Sequence, residues 1–172
     1  VVSGINDGEN IATGITISGT VGAALEAASL GIPALAVSLE TDAKYHLSYS
    51  NHIDFSVAAA FAAQFARMAL MKEFPADVDA LKVDVPSDAT LDTPWRLTRV
   101  SRQRYYEPVP VERASWDEPG AIGYHAVINL DAEPQDTDVY ALRKSRFVSV
   151  SPLSLDLTSR VNFNALDNLL RE

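Results

Sequence analysis

The chain has 172 residues, 47% hydrophobic and 22% charged, which suits one globular domain large enough to bury a sizeable core. Its net charge of −9 argues against non-specific binding to a nucleic-acid polymer or an anionic membrane. The absence of cysteine excludes disulfides and thiol catalysis and fits a reducing, cytoplasmic setting. The most apolar stretch, Val57 to Leu70, is interrupted by Gln64 and Arg67 and is too short to span a bilayer.

Val1 and Val2 read as the end of a buried strand. Ser3-Gly4-Ile5-Asn6-Asp7-Gly8-Glu9-Asn10 follows as a loop whose glycines let the backbone approach a ligand closely and whose asparagines face it. Ser18 is a good N-cap, and the N–H groups of Gly19, Thr20 and Val21 form an anion site at the positive end of a helix dipole. That helix runs from Thr20 to Leu30, closed by Gly31 with Pro33 beyond it. Ala34 to Leu39 is a short apolar run, hence a buried strand. Strand, helix and strand form a βαβ unit with a right-handed crossover. Ligands bind such sheets at the carboxyl ends of the strands, where the Asn6–Asn10 loop falls.

Asp54 is placed to cap a second helix, Phe55 to about Glu73, whose nearly all-round apolar character implies burial on most faces. Pro75 ends it, and Lys82 to Val85 is the next strand. From Pro86 to Pro134 the prolines, both tryptophans and the alternation of Arg96-Leu97-Thr98-Arg99-Val100 read as a β-hairpin extension within a single domain, 1–172. Thr137 to Arg143 is a short helix, Phe147 to Val150 a strand and Asn164 to Arg171 a terminal helix. The whole is an α/β fold: a Rossmann-like parallel sheet with helices on both faces, a β-hairpin extension and a C-terminal arm.

Several residue types invite chemistry, each with a plainer reading beside it. The carboxamides of Asn6 and Asn10 can offer oxygen to a hard cation or nitrogen to a phosphate, or simply form turns. Ser18, Gly19 and Thr20 can hold a phosphate, cap a helix, or do both. Ser18 is not read as a nucleophile, because no Gly-x-Ser-x-Gly motif surrounds it and no histidine is evidently placed to activate it. His46, His52 and His125 have no metal-ligand spacing and are taken as surface or packing residues. Asp7 and Glu9 flank Asn6, where carboxylates can assist a cation, with solvation the plainer and preferred reading. Arg96, Arg99, Arg102, Arg104, Tyr105 and Tyr106 suit a subunit contact or solvated face, with nucleotide stacking the sharper alternative.

The motifs Ser3-Gly4-Ile5-Asn6-x-Gly8-x-Asn10, Ser18-Gly19-Thr20-Val21 and Gly31-Ile32-Pro33-Ala34-Leu35-Ala36-Val37-Ser38 together resemble the core of the SurE (survival protein E) nucleotidases. Leu81-Lys82-Val83-Asp84-Val85-Pro86 is similar to that family's strand before its hairpin, and Asp136-Thr137-Asp138, Val148 to Leu153 and Asp156-Leu157-Thr158 to its closing region. The resemblance implies a phosphatase of nucleoside 5′- or 3′-monophosphates, with short polyphosphate as a further substrate, using Mg²⁺ or Mn²⁺. It implies that Asn6 ligates the metal and that Asn10, Ser18, Gly19 and Thr20 face the substrate phosphate. It also implies assembly as a homodimer or homotetramer.

That family opens on a strand and loop with two adjacent aspartates, and nothing like them precedes Val1. The expectation is therefore a C-terminal portion of a SurE-like protein, inactive by itself, with the charged metal ligands elsewhere and no general base assigned. A non-catalytic phosphate- or nucleotide-binding module is the alternative reading.

Overall fold

Six successive residues, Ala34–Leu39, are buried, as expected of a strand covered on both faces. In the computed structural model, which describes residues 1–46, 52–111, 113, 115–120, 123–127 and 129–171, this strand is β2. It pairs in parallel with β1 (Val2–Asp7) and with β3 (Ala80–Val85). The strand β4 (Trp95–Leu97) completes the sheet beyond β7 (Val148–Leu153), which runs antiparallel to β3 and parallel to β4; the order is β1-β2-β3-β7-β4. A separate antiparallel pair joins β5 (Tyr106–Val109) to β6 (Gly123–Ala126).

The period of two sorts β2 onto two helices. Leu35, Val37 and Leu39 pack with Phe61, Phe65, Val83 and Val150 under α2 (Ser56–Met71). Ala34 and Ala36 pack with Val21, Ala24, Ala80 and Leu153 under α1 (Gly19–Ser29). Ser18 Oγ caps α1 by accepting the Val21 N–H at 3.2 Å, and Gly31, at φ +73°, donates to the Ala28 carbonyl at its end. Helices therefore cover both faces, as the sequence predicts. The sheet is mixed rather than all parallel, because β7 returns antiparallel at β3.

Four local expectations change. Val2 begins β1 rather than ending a strand. Ser3 to Asp7 is that strand itself, with a register irregularity between Ser3 and Asn6 in place of a loop. Gly4 makes the irregularity possible: at φ +121°, a Cβ there would lie 2.3 Å from the Val37 carbonyl oxygen of the neighbouring strand. The helix α2 buries one face only, through Ala58, Phe61, Ala62 and Phe65, while Leu70 and Met71 stay exposed. Its outward alanines are small enough to face water at little cost, which the all-round apolar pattern conceals. Within 86–134, β4 belongs to the main sheet, and among the described residues β5 and β6 form the separate antiparallel pair.

The C-terminal helix α3 (Phe163–Arg171) has no buried residue. A five-residue π-turn, Tyr140–Lys144, leads into β7 and carries Arg143 in its last turn.

Candidate functional site

The carboxyl ends of β1, β2 and β3 lie side by side, and the asparagine motif sits on them. Asn6 pairs with Ser38 across β1 and β2, and its Nδ2 donates to the Gly8 carbonyl at 2.7 Å. That bond uses the amide nitrogen and leaves Oδ1 as the group available to a cation. Asn10 donates from Nδ2 to Ser38 Oγ at 2.8 Å, so Ser38 connects the two asparagines.

Beneath Asn10 is a cluster that sequence reasoning passed over. Its backbone N–H donates to Asp84 Oδ1 at 2.8 Å, and Lys82 Nζ donates to Asp84 Oδ2 at 2.5 Å and to Asp138 Oδ2 at 3.1 Å. Lys82, Asp84 and Asp138 are all fully buried. Asp138 also accepts the N–H groups of Ala12, Ser101 and Val139, so one carboxylate ties the segment after Asn10 to the chain before β5. Burial pushes the Asp84 carboxyl up to about 6 despite the adjacent Lys82. Burial would lower Lys82, but the charges of Asp84 and Asp138 outweigh it and hold the ammonium above its ordinary range. The signal in the sequence was the alternation Lys82-Val83-Asp84, which puts two opposite charges on one face of a buried strand.

A second ionic group lies past the ends of β2 and β3. Glu40 accepts from Arg143 and, at 2.6 Å, from Arg146, while the Ser87 N–H reaches it at 2.8 Å. Burial would raise the Glu40 carboxyl, yet these hydrogen bonds and the two guanidinium charges bring it to about 2. Glu9, read from the sequence as solvated, is 6% exposed and accepts the Tyr105 hydroxyl at 2.7 Å. Folding the Asn6–Asn10 segment onto β3 carries Glu9 inward. Asp7, also expected to be solvated, is half-buried and accepts Thr41 Oγ1 at 2.6 Å.

At α1 the anion site is smaller than expected, because the Ser18 side chain occupies the Val21 N–H. Gly19 and Thr20 open the helix, where backbone N–H groups have no intrahelical acceptor. Gly19 is exposed and Thr20 half-buried. Among the described residues no hydrogen bond joins Asn6 or Asn10 to Ser18–Thr20, although α1 packs against β1 and β2. Nor do the described residues bring three or more His, Asp or Glu side chains together as a metal cluster. His46 proves to be a packing residue with a polar contact, its Nδ1 lying 2.6 Å from the Tyr124 hydroxyl. In the arginine-rich stretch, Arg99 pairs with exposed Asp136, and Tyr105 is buried. No helix among the described residues is long and apolar enough to cross a membrane.

The fold and this edge define an α/β protein whose candidate ligand site is the carboxyl ends of its parallel strands, beside a capped helix N-terminus. The family model for Survival protein SurE matches residues 1–107. The 5′-nucleotidase SurE of Thermococcus gammatolerans is 49% identical over 98% of this chain and 63% of its own length. The protein of the same description from Thermococcus kodakarensis is 44% identical, over 98% of this chain and 64% of its own. The crystal structure of the SurE protein from Aquifex aeolicus superposes with a TM-score of 0.69 at 27% identity, covering all of this chain and 65% of that one. The chain belongs to the SurE family. It spans a little under two thirds of the length of these relatives.

Proposed function

We propose that the protein carrying this chain is a divalent-metal-dependent phosphatase that releases phosphate from nucleoside 5′- or 3′-monophosphates, with short polyphosphate in the same range. The observation that carries the reading is near-complete coverage of this chain by relatives described as 5′-nucleotidase SurE, at 49% and 44% identity. The geometry supports it, since a neutral amide oxygen and an open helix N-terminus occupy the ligand edge of the sheet.

The donor set fits one neutral corner of a hard-cation site. Asn6 Oδ1 is the proposed ligand, because its partner nitrogen is already engaged by Gly8. Mg²⁺ ordinarily takes one or two carboxylates with water and phosphate oxygens, and Asn6 would complete such a set. A bound Mg²⁺ or Mn²⁺ supplies Lewis acidity at a phosphoryl oxygen and lowers the pKa of a bound water. This chain's part is to hold the substrate. The Gly19 and Thr20 N–H groups and Asn10 would bind the non-bridging oxygens as water oxygen bonds to phosphorus and the ester oxygen departs with a proton. Ser18 would act through its cap on α1. The cysteine-free composition fits the cytoplasm as its compartment.

Phosphate release from AMP by the whole protein tests this. Turnover is expected with Mg²⁺ or Mn²⁺ and not with chelator, and Asn6→Ala is expected to lower kcat/KM by on the order of a hundredfold. Turnover unchanged in chelator would overturn the metal assignment. Binding of AMP without turnover would favour a nucleotide-binding module.

A further inference from the structure

Past the ends of β2 and β3 is a pocket of about 400 Å³, floored by Glu9, Glu40 and Arg143 and walled by Tyr106, Tyr124 and His46. We propose that it receives the nucleoside half of the substrate, with the aromatic wall taking the base and Glu9 accepting a hydrogen bond from a base amino group or ribose hydroxyl. The inference rests on the nucleotidase reading above and adds where, and by which groups, the uncharged part of the substrate is held.

Three observations converge. The first is aromatic surface at ligand depth. Tyr124 stacks on His46 with ring centroids 5.9 Å apart, and Tyr106 meets Tyr124 edge-on at 5.2 Å. Rings braced in this way offer a planar partner a rigid wall, and every base has a π-face to place against one. The second is an unmet demand. Glu9 is 6% exposed; its Oε1 is taken by the Tyr105 hydroxyl and lies 3.8 Å from Arg143, while its Oε2 has no hydrogen-bond partner among the described residues. A buried carboxylate oxygen without a donor is costly, and a ligand N–H or O–H would supply one.

The third is position. An added Cβ on Gly8 would fall 2.7 Å from His46 Nε2, and the Gly8 carbonyl accepts from Asn6 Nδ2 at 2.7 Å. One glycine thus touches both the pocket wall and the proposed metal ligand. The pocket is wrong for the phosphate itself. Three carboxylates, Glu9, Glu40 and Asp42, line it, and Arg143 is already committed to Glu40 and Glu9. A neutral, donor-bearing, flat group suits it, with the charged end of the substrate directed toward Asn6 and Asn10. Another cavity, about 270 Å³ among Ala28, Pro33, Ala69 and Phe74, lies at the amino ends of the strands, remote from those asparagines.

The test is calorimetric titration of the whole protein with adenosine, which carries no phosphate. Binding is expected for the wild type and should weaken about tenfold or more in Tyr124→Ala and in Glu9→Gln. Tyr124→Phe keeps the ring and should bind within about threefold of wild type. No adenosine binding by the wild type, or unchanged binding in both Tyr124→Ala and Glu9→Gln, would overturn the proposal. In a kinetic arm, the ratio of kcat/KM for AMP to that for p-nitrophenyl phosphate should fall about tenfold in Tyr124→Ala. Equal losses on the two substrates would count against the pocket. If the wild type hydrolyses neither substrate, the nucleotidase reading fails, and the adenosine titration still decides the pocket.

Discussion

Asn10 donates its backbone N–H to the buried Asp84 carboxylate at 2.8 Å, so the ligand loop is anchored to the sheet by a charge that never meets solvent. That charge is one of two. Asp84 and Asp138 share the single ammonium of Lys82, and the cluster is one negative charge in excess when all three groups are ionised.

The imbalance predicts an asymmetry between variants. Lys82→Met leaves two carboxylates buried side by side and should cost about 3–5 kcal/mol in urea unfolding at neutral pH. Asp84→Asn leaves an ammonium matched by one carboxylate and keeps an oxygen for the Asn10 N–H, so its cost should be under about 1.5 kcal/mol. The folded-state carboxyl of Asp84 is raised to about 6 from the ordinary 3.8, so its ionisation weakens the fold as pH rises through that window. The Asn variant escapes this penalty. It should therefore gain on the wild type between pH 4 and pH 7, and parallel pH profiles would refute the assignment.

The parts of the fold that follow local rules were legible in the sequence. Ala34–Leu39 was readable because a strand covered by a helix on each face has to be apolar at every position. The end of α1 was readable because Gly31 adopts φ +73°, which other residues rarely do. What escaped depends on contacts distant in the chain. Lys82 reaches Asp138 across 56 positions and Glu9 meets Tyr105 across 96, and no local pattern encodes either pairing. Glu9 looked like a solvated loop carboxylate because composition reports polarity and not burial. Asn6 and Asn10 lie together at the carboxyl ends of β1 and β2, and Ser38, the hydroxyl that connects them, was hidden within an apolar strand.

Glu40 predicts the opposite pH behaviour to Asp84. Its folded-state carboxyl lies at about 2 against an ordinary 4.5, so its stabilisation is complete above 4.5 and is lost as pH falls toward 2. Both arginines reach partly into solvent, which screens the pair, and about 2 kcal/mol is a discounted figure for the stabilisation at pH 7. Glu40→Gln should show that deficit in urea unfolding at pH 7. The gap to wild type should narrow steadily as pH is lowered from 5 to 3. A gap independent of pH would mean that Glu40 acts through packing alone.

The helix α3 predicts an assembly. Phe163, Leu166 and Leu170 recur at helical spacing on one face, and none of the helix is buried among the described residues. Leu155, Leu157 and Val161 lead into it and are exposed as well. An amphipathic helix left uncovered by the described residues gains little by folding alone, since helical stability in proteins comes mainly from packing the apolar face. We propose that a second copy of the chain covers it, giving a homodimer or homotetramer. Light scattering on the whole protein should report an oligomer, and deletion after Thr158 should shift it toward monomer. Phe163→Asp with Leu170→Asp should do the same without shortening the chain. A wild type that stays monomeric at about 100 μM would exclude a stable assembly of this kind, and an oligomer unchanged by both variants would place the interface elsewhere.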